Sequence, residues 1–208
     1  MPLPLRDFVQ QVLIENERAG KIHRAVLRAW KATVEKYPER ARWRRKSTFR
    51  GLFWEEAVRE LATLTETDPD FKLVGHRDTA SFIIEQSVLF RFKHANVALA
   101  TANYPTPEAM DFDRHDVDLY GYQGMQRAEL CYVLNEFETD IVWVGIAASA
   151  DGNHLWKIEL ADDGVVPAQT ELPFDAEEEE ESDPAKLARI KKAQPERKDA
   201  KRKSDGET

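Results

Sequence analysis

Cysteine is nearly absent from this chain, which has Cys131 as the only thiol among its 208 residues. A single cysteine excludes an intramolecular disulfide and any zinc site built from several thiolates. Cys131 lies in the apolar run Leu130-Cys131-Tyr132-Val133-Leu134. We therefore expect a buried structural thiol rather than a nucleophile.

Long hydrophobic runs are also absent. No stretch of about eighteen apolar residues occurs, so no segment has the length that a membrane-spanning helix needs. The segment from Met1 to Asp7 lacks the charged, apolar and small-residue regions of a secretory signal. These absences predict a cytoplasmic protein with no membrane partner.

Glycine is sparse, and the familiar catalytic loops are missing. None of the nine glycines belongs to a phosphate-binding loop, and Ser81, Ser87 and Ser149 have no nucleophile-elbow context. The five histidines are scattered, and none forms a His-Glu-x-x-His motif. These patterns predict no organic cofactor and weaken hydrolase and nucleotide-binding interpretations.

Charge is abundant, and it is segregated along the chain. The formal net charge is −8. Residues 1–60 carry 14 basic and 8 acidic side chains, whereas residues 61–174 carry 7 basic and 19 acidic ones. Local potential steers binding partners more than total charge does. The basic front and the acidic body either attract each other within the fold or face different partners.

Apolar residues at helical spacing predict three N-terminal helices. The first stripe spans residues 5–13 and is followed by a break at Gly20. The second spans residues 22–37 and ends where a proline follows. A third helix is expected after Ser47 or Thr48, since either residue is a suitable N-cap.

Five later segments have the short, β-rich pattern of strands: Thr79–Ile84, Val88–Lys93, Glu129–Asn135, Asp140–Ala148 and Asn153–Leu160. Alternation in the second places its two phenylalanines on one face and Arg91 and Lys93 on the other. The pair Asp151-Gly152 favours a type I′ turn, so the last three strands are expected to form a meander. With Thr106 as its cap, Pro107–Phe112 is predicted to be a short helix.

Together these elements predict an α+β fold, with N-terminal helices packed on a mainly antiparallel sheet. We expect a single domain over residues 1–174, helical over 1–66 and strand-rich over 71–160. Residues 175–208 contain almost no large apolar side chain and cannot bury enough surface to offset the entropy of ordering. This segment is predicted to be a disordered charged tail.

A basic run gives the clearest nucleic-acid signal in the chain. It surrounds one indole ring with cations, which suits contact with phosphates and offers an aromatic platform. The candidate residues, which include two strand cations, are Arg40, Arg42, Trp43, Arg44, Arg45, Lys46, Arg50, Arg91 and Lys93. No groove-reading motif accompanies them. The alternative is a solvated linker whose charges pair with the acidic middle region.

An acidic cluster is the candidate metal site. It combines carboxylates with one imidazole, the ligands that Mg²⁺, Mn²⁺ or Zn²⁺ accept, in Asp111, Asp113, His115 and Asp116. The spacing does not match an EF-hand loop, which requires glycine at its sixth position. A solvated acidic loop is the alternative interpretation.

A second acidic pattern resembles that of metal-dependent nucleases of the restriction-enzyme type. It would use Asp78, Glu85, Arg91 and Lys93 from successive strands. Such nucleases carry Glu-x-Lys on one face of a strand, but Glu85 and Lys93 are eight residues apart here. The simpler interpretation makes the two cations the polar face of a strand, with Asp78 or Glu85 as salt-bridge partners.

Four central segments share a pattern with a known group of proteins: Val88–Lys93, Asn103–Thr106, Tyr132–Leu134 and Leu155–Ile158. The pattern, over about residues 70–160, resembles that of small uncharacterised bacterial proteins of prophages and mobile elements. Those proteins are encoded beside helix-turn-helix or zinc-peptidase regulators, in toxin–antitoxin-like arrangements. The resemblance implies a protein that engages a macromolecular partner, and it transfers no catalytic residue.

Three functions are compatible with these patterns. The first is a regulatory or interaction protein of a mobile element, possessing charged surfaces and a steered tail that bind a protein partner. The second is nucleic-acid binding through the basic run of residues 40–50, with an affinity that falls as salt rises. The third is a hydrolase that holds a divalent metal in the acidic cluster of residues 111–118.

Overall fold

The computed structural model describes most of the chain up to residue 167. The described ranges are 3–76, 79–101, 106–115, 118–119, 121, 124–150 and 152–167. The predicted tail over residues 175–208 lies outside these ranges, so its disorder stays a prediction.

The described residues form four α-helices: α1 Arg6–Ile14, α2 Arg18–Lys36, α3 Lys46–Ala62 and α4 Pro107–Arg114. The α2 helix ends before the proline that was expected to end it. In α4 the hydroxyl of Thr106 accepts a 3.2 Å bond from the amide of Ala109, which confirms the predicted cap. The cap predicted for α3 is wrong, because Arg45 is its N-cap and Ser47 and Thr48 lie in its first turn.

The break between α1 and α2 also differs from the prediction. It lies at Asn16 and Glu17, whose φ angles of 53° and 55° are left-handed. Gly20 is buried inside α2, where a methyl group would lie 2.5 Å from the carbonyl oxygen of Asp162. The glycine therefore permits close packing of α2 on a turn of the sheet rather than ending a helix.

The described strands form one seven-stranded sheet in chain order: β1 Phe71–His76, β2 Thr79–Ile84, β3 Val88–Ala95, β4 Gln126–Leu134, β5 Ile141–Ala150, β6 Asn153–Ala161 and β7 Gly164–Val165. The sequence prediction omits β1 and β7. Neighbouring strands are antiparallel except for β3 and β4, which are parallel. A parallel pair needs a crossover, and residues 96–125, which contain α4, provide it.

The meander predicted for the last long strands is confirmed. Strands β4, β5 and β6 pair in sequence, and Ala150 faces Asn153 across the β5–β6 hairpin. Gly152 has a φ of 76°, the positive value that a tight hairpin turn requires. Asp151 lies outside the described residues.

The two faces of the sheet bury different partners. Helices α1, α2 and α3 cover one face, where Phe53 of α3 packs edge-on against Phe92 of β3 and Tyr132 of β4. Helix α4 covers part of the other face, where Phe112 packs with Leu89 and other apolar side chains. The alternation predicted for β3 is thus confirmed.

The α+β fold class is confirmed by this arrangement, since N-terminal helices pack on a mainly antiparallel sheet. Among the described residues, no helix combines the length and apolar character needed to cross a membrane.

Candidate nucleic-acid interface

The basic run lies at the junction of α2 and α3. Residues 38–42 form a 3₁₀ turn, and α3 begins shortly after it. Trp43 is half-buried, with its ring centroid 5.7 Å from that of Tyr37 and 6.4 Å from that of Phe49. The indole therefore anchors the segment to the helical core, and it does not provide the exposed platform expected from the sequence.

Three cations of the run are engaged within the fold. The guanidinium of Arg40 lies 5.3 Å from the ring centroid of Phe49. Lys46 and Arg50 lie 3.6 and 3.7 Å from the carboxylate of Glu138 in the β4–β5 turn. For Lys46 and Arg50, the expected pairing with the acidic region is therefore present.

The other three cations behave differently. Arg42, Arg44 and Arg45 are exposed, and their guanidinium groups form no ion pair or hydrogen bond with any described residue. Lys46 is 57% exposed even with Glu138 beside it. We call Arg42, Arg44, Arg45 and Lys46 the basic surface.

An exposed aromatic residue that is not among the sequence candidates directly precedes the acidic partner of this surface. Phe137 is 76% exposed, and the residue after it, Glu138, pairs with Lys46 and Arg50. A single exposed apolar residue is common on protein surfaces, but an exposed phenyl ring near cations offers a face on which a nucleic-acid base stacks. The available signal was a lone aromatic residue in the polar stretch Asn135-Glu136-Phe137-Glu138-Thr139.

Arg91 and Lys93 lie on the opposite face of the sheet from α3, so they are not part of the basic surface. Arg91 is 7% exposed, and its guanidinium lies 4.4 Å from the ring centroid of Phe112. Burial lowers the pKa of Lys93 more than the nearby Glu129 carboxylate raises it. Because side chains alternate between the two faces along β3, these two cations lie on the face away from the run at residues 40–50.

A cavity of about 320 Å³ lies on that same face, between β5, α4 and the segment after β3. Small and apolar side chains line much of it, together with Asp113, Glu129 and Ser149. The Glu129 carboxylate is buried and accepts a 2.8 Å bond from the hydroxyl of Thr101. The Ser149 hydroxyl donates a 3.3 Å bond to Asp113. Sequence reasoning missed Glu129 because it lies within an apolar strand.

The predicted metal ligands are brought only partly together. Asp113 and His115 both approach Ser149, whose carbonyl oxygen lies 2.9 Å from Nε2 of His115. Asp111 accepts a bond from Arg127 through its backbone carbonyl. Asp116 lies outside the described residues, and among those described no three acidic, histidine or cysteine side chains form a metal-binding group. The metal site stays a prediction.

The nuclease-like pattern does not converge in the described part of the chain. Glu85 lies in the β2–β3 turn, and its carboxylate accepts a 2.5 Å hydrogen bond from Nη1 of Arg18. Its partner is therefore Arg18, and not Arg91 or Lys93 as the sequence predicted. Asp78 lies outside the described residues.

No protein-family model, curated protein or solved structure matches this chain.

Proposed function

We propose that this protein binds nucleic acid through the basic surface. The observation that carries the proposal is the exposure of Arg42, Arg44 and Arg45, which pair with no described residue. Neighbouring like charges that lack a counter-charge repel one another. A polyanion would relieve this repulsion and release its own condensed counterions on binding.

The geometry favours contacts with phosphates over the reading of base edges in a groove. Arg42 ends a 3₁₀ turn, Arg44 and Arg45 connect it to α3, and α3 buries Phe49, Phe53 and Ala57 on the core. Because contacts with the phosphate backbone carry no sequence information, we expect weak sequence preference and strong dependence on salt.

The sequence also led to a broader expectation, a regulatory protein that engages a macromolecule, and this proposal names that macromolecule. Nucleic acid would be that partner. The mobile-element and toxin–antitoxin-like role stays a proposal supported by the sequence resemblance alone.

The test compares two triple variants that change the net charge equally. One carries Arg42→Gln, Arg44→Gln and Arg45→Gln in the basic surface. The matched control carries the exposed lysines changed elsewhere, as Lys31→Gln, Lys72→Gln and Lys157→Gln. Fluorescence anisotropy with a labelled DNA duplex, and with a labelled single strand of the same length, measures the affinity of each protein over a series of KCl concentrations.

We expect the arginine variant to bind the duplex weakly. Its slope in a plot of log affinity against log salt concentration should be shallower by up to about 2.7, because each lost phosphate contact reduces the slope by about 0.9. The control should keep the slope of the unchanged protein. Equal losses in both variants would show that the effect depends on net charge alone. Absence of binding to both the duplex and the single strand by the unchanged protein would end the proposal.

A further inference from the structure

The β4–β5 turn holds Phe137 out of the core in a defined geometry. Asn135 closes the turn: its amide bonds the carbonyl of Asp140, and its carbonyl accepts from the amide of Glu138 at 2.9 Å. The Asn135 side chain also forms two hydrogen bonds with Thr139. Its Oδ1 accepts from the Thr139 amide at 2.9 Å, and its Nδ2 donates to the Thr139 hydroxyl at 2.8 Å. The exposed ring is therefore carried by a turn with its own hydrogen-bond network.

The same turn is tied to the basic surface. Glu138 has a left-handed φ of 54°, and its carboxylate meets Lys46 and Arg50. This pairing fixes the turn against α3, so the exposed ring is carried one residue away from a contact with the cations. It also offsets the charge of the glutamate that immediately follows the ring.

The charges of the turn bear on where phosphates would lie. Glu136 and Asp140 are exposed and form no ion pair with any described residue, so they repel phosphates from the turn itself. The phosphates would therefore follow the basic surface, and a base rather than a phosphate would occupy the ring.

From this juxtaposition we propose that the protein binds single-stranded nucleic acid, with the phosphates on the basic surface and an unpaired base stacked on Phe137. The inference rests on the proposed function and narrows its substrate class. In a duplex both faces of each internal base are already stacked, so away from the ends only a single strand offers a base to the ring. Stacking on an aromatic side chain tolerates any base, in keeping with weak sequence preference.

The test measures binding of a labelled oligo(dT) and of a duplex of equal length by the unchanged protein and by Phe137→Leu. Phe8→Leu on α1 is the matched control, because it removes another exposed phenyl ring. We expect Phe137→Leu to lose at least about fivefold in affinity for the single strand, with little change for the duplex. Phe137→Tyr should restore the single-strand affinity, and Phe8→Leu should bind as the unchanged protein does.

A second readout is a Phe137→Trp variant, whose added indole should be quenched when oligo(dT) binds, beyond the change seen in the unchanged protein. If Phe137→Leu binds oligo(dT) as tightly as the unchanged protein and the added indole is not quenched, the ring serves a different partner and the inference is wrong. Nucleic-acid binding could still stand in that case. Failure of the unchanged protein to bind either nucleic acid would instead remove the proposed function itself.

Discussion

At the scale of single residues, the least exposed charged side chain among the described residues is that of Arg18. Its side chain is 1% exposed, and Nε donates a 2.6 Å bond to Asp68. It also bonds Glu85 and the carbonyl of Val12. One side chain of α2 thereby joins α1, the turn before β1 and the β2–β3 turn. Because the charge is removed from water, its partners are needed to compensate it.

This arrangement predicts a specific dependence of stability on pH. The hydrogen bond from Arg18 lowers the pKa of Asp68, although burial acts in the opposite direction. A carboxylate with a lowered pKa contributes stability that is fully present above its unfolded pKa, near 4, and is lost as pH falls through its folded pKa. We expect Asp68→Asn to lower the free energy of unfolding by roughly 3–5 kcal/mol at pH 7. The difference between variant and unchanged protein should shrink near pH 3.

Urea denaturation at the two pH values measures this difference. Asp70→Asn is the matched control, because the Asp70 carboxylate lies 3.9 Å from the same guanidinium but is 60% exposed. The control should cost less than about 1 kcal/mol. A loss of stability in Asp68→Asn that stayed the same at pH 3 and pH 7 would show that the carboxylate acts by shape rather than by charge.

At the scale of elements, two helical glycines have opposite roles. Gly20 in α2 packs against the β6–β7 turn, where a methyl group would meet the backbone carbonyl of Asp162 at 2.5 Å. Gly51 in α3 is exposed, and a methyl group there would have no atom within 4 Å. Glycine costs up to about 1 kcal/mol relative to alanine inside a helix.

We therefore expect Gly20→Ala to destabilise the protein by about 1–3 kcal/mol, because α2 must move away from the turn. Gly51→Ala should stabilise it by about 0.5–1 kcal/mol, since the helix gains propensity without a clash. Thermal unfolding of both variants measures whether Gly20→Ala lowers the stability and Gly51→Ala raises it. A stabilised Gly20→Ala protein would contradict the packing that places α2 on the sheet.

At the scale of the whole molecule, local patterns predicted the elements better than their contacts. The alternation of Phe90 and Arg91 in β3 depends only on neighbouring residues, and it is correct. The parallel pairing of β3 with β4 depends on a crossover, which no local pattern encodes. The role of Gly20 depends on Asp162, far along the chain, so a helical glycine was interpreted as a break.

The candidate interface shows the same division. Composition identified the basic run, but burial of Trp43 and exposure of Phe137 are tertiary properties. Parity within β3 placed Arg91 and Lys93 together, yet only the packing of α3 shows that their face is opposite the basic run. The charged surface was thus predictable as a sequence segment, whereas the aromatic ring beside it required the turn between β4 and β5.

The last prediction concerns residues 175–208, whose sequence contains Leu187 and Ile190 as almost its only large apolar residues. A segment of this composition gains too little from burial to offset its ordering entropy. Removing it should therefore leave the urea midpoint and the m-value of the remaining 1–174 chain unchanged, because the m-value follows the surface exposed on unfolding. The amide resonances that disappear should fall in the narrow random-coil range. A lower midpoint would instead show that the segment packs on the fold, and the expectation of a disordered tail would then be wrong.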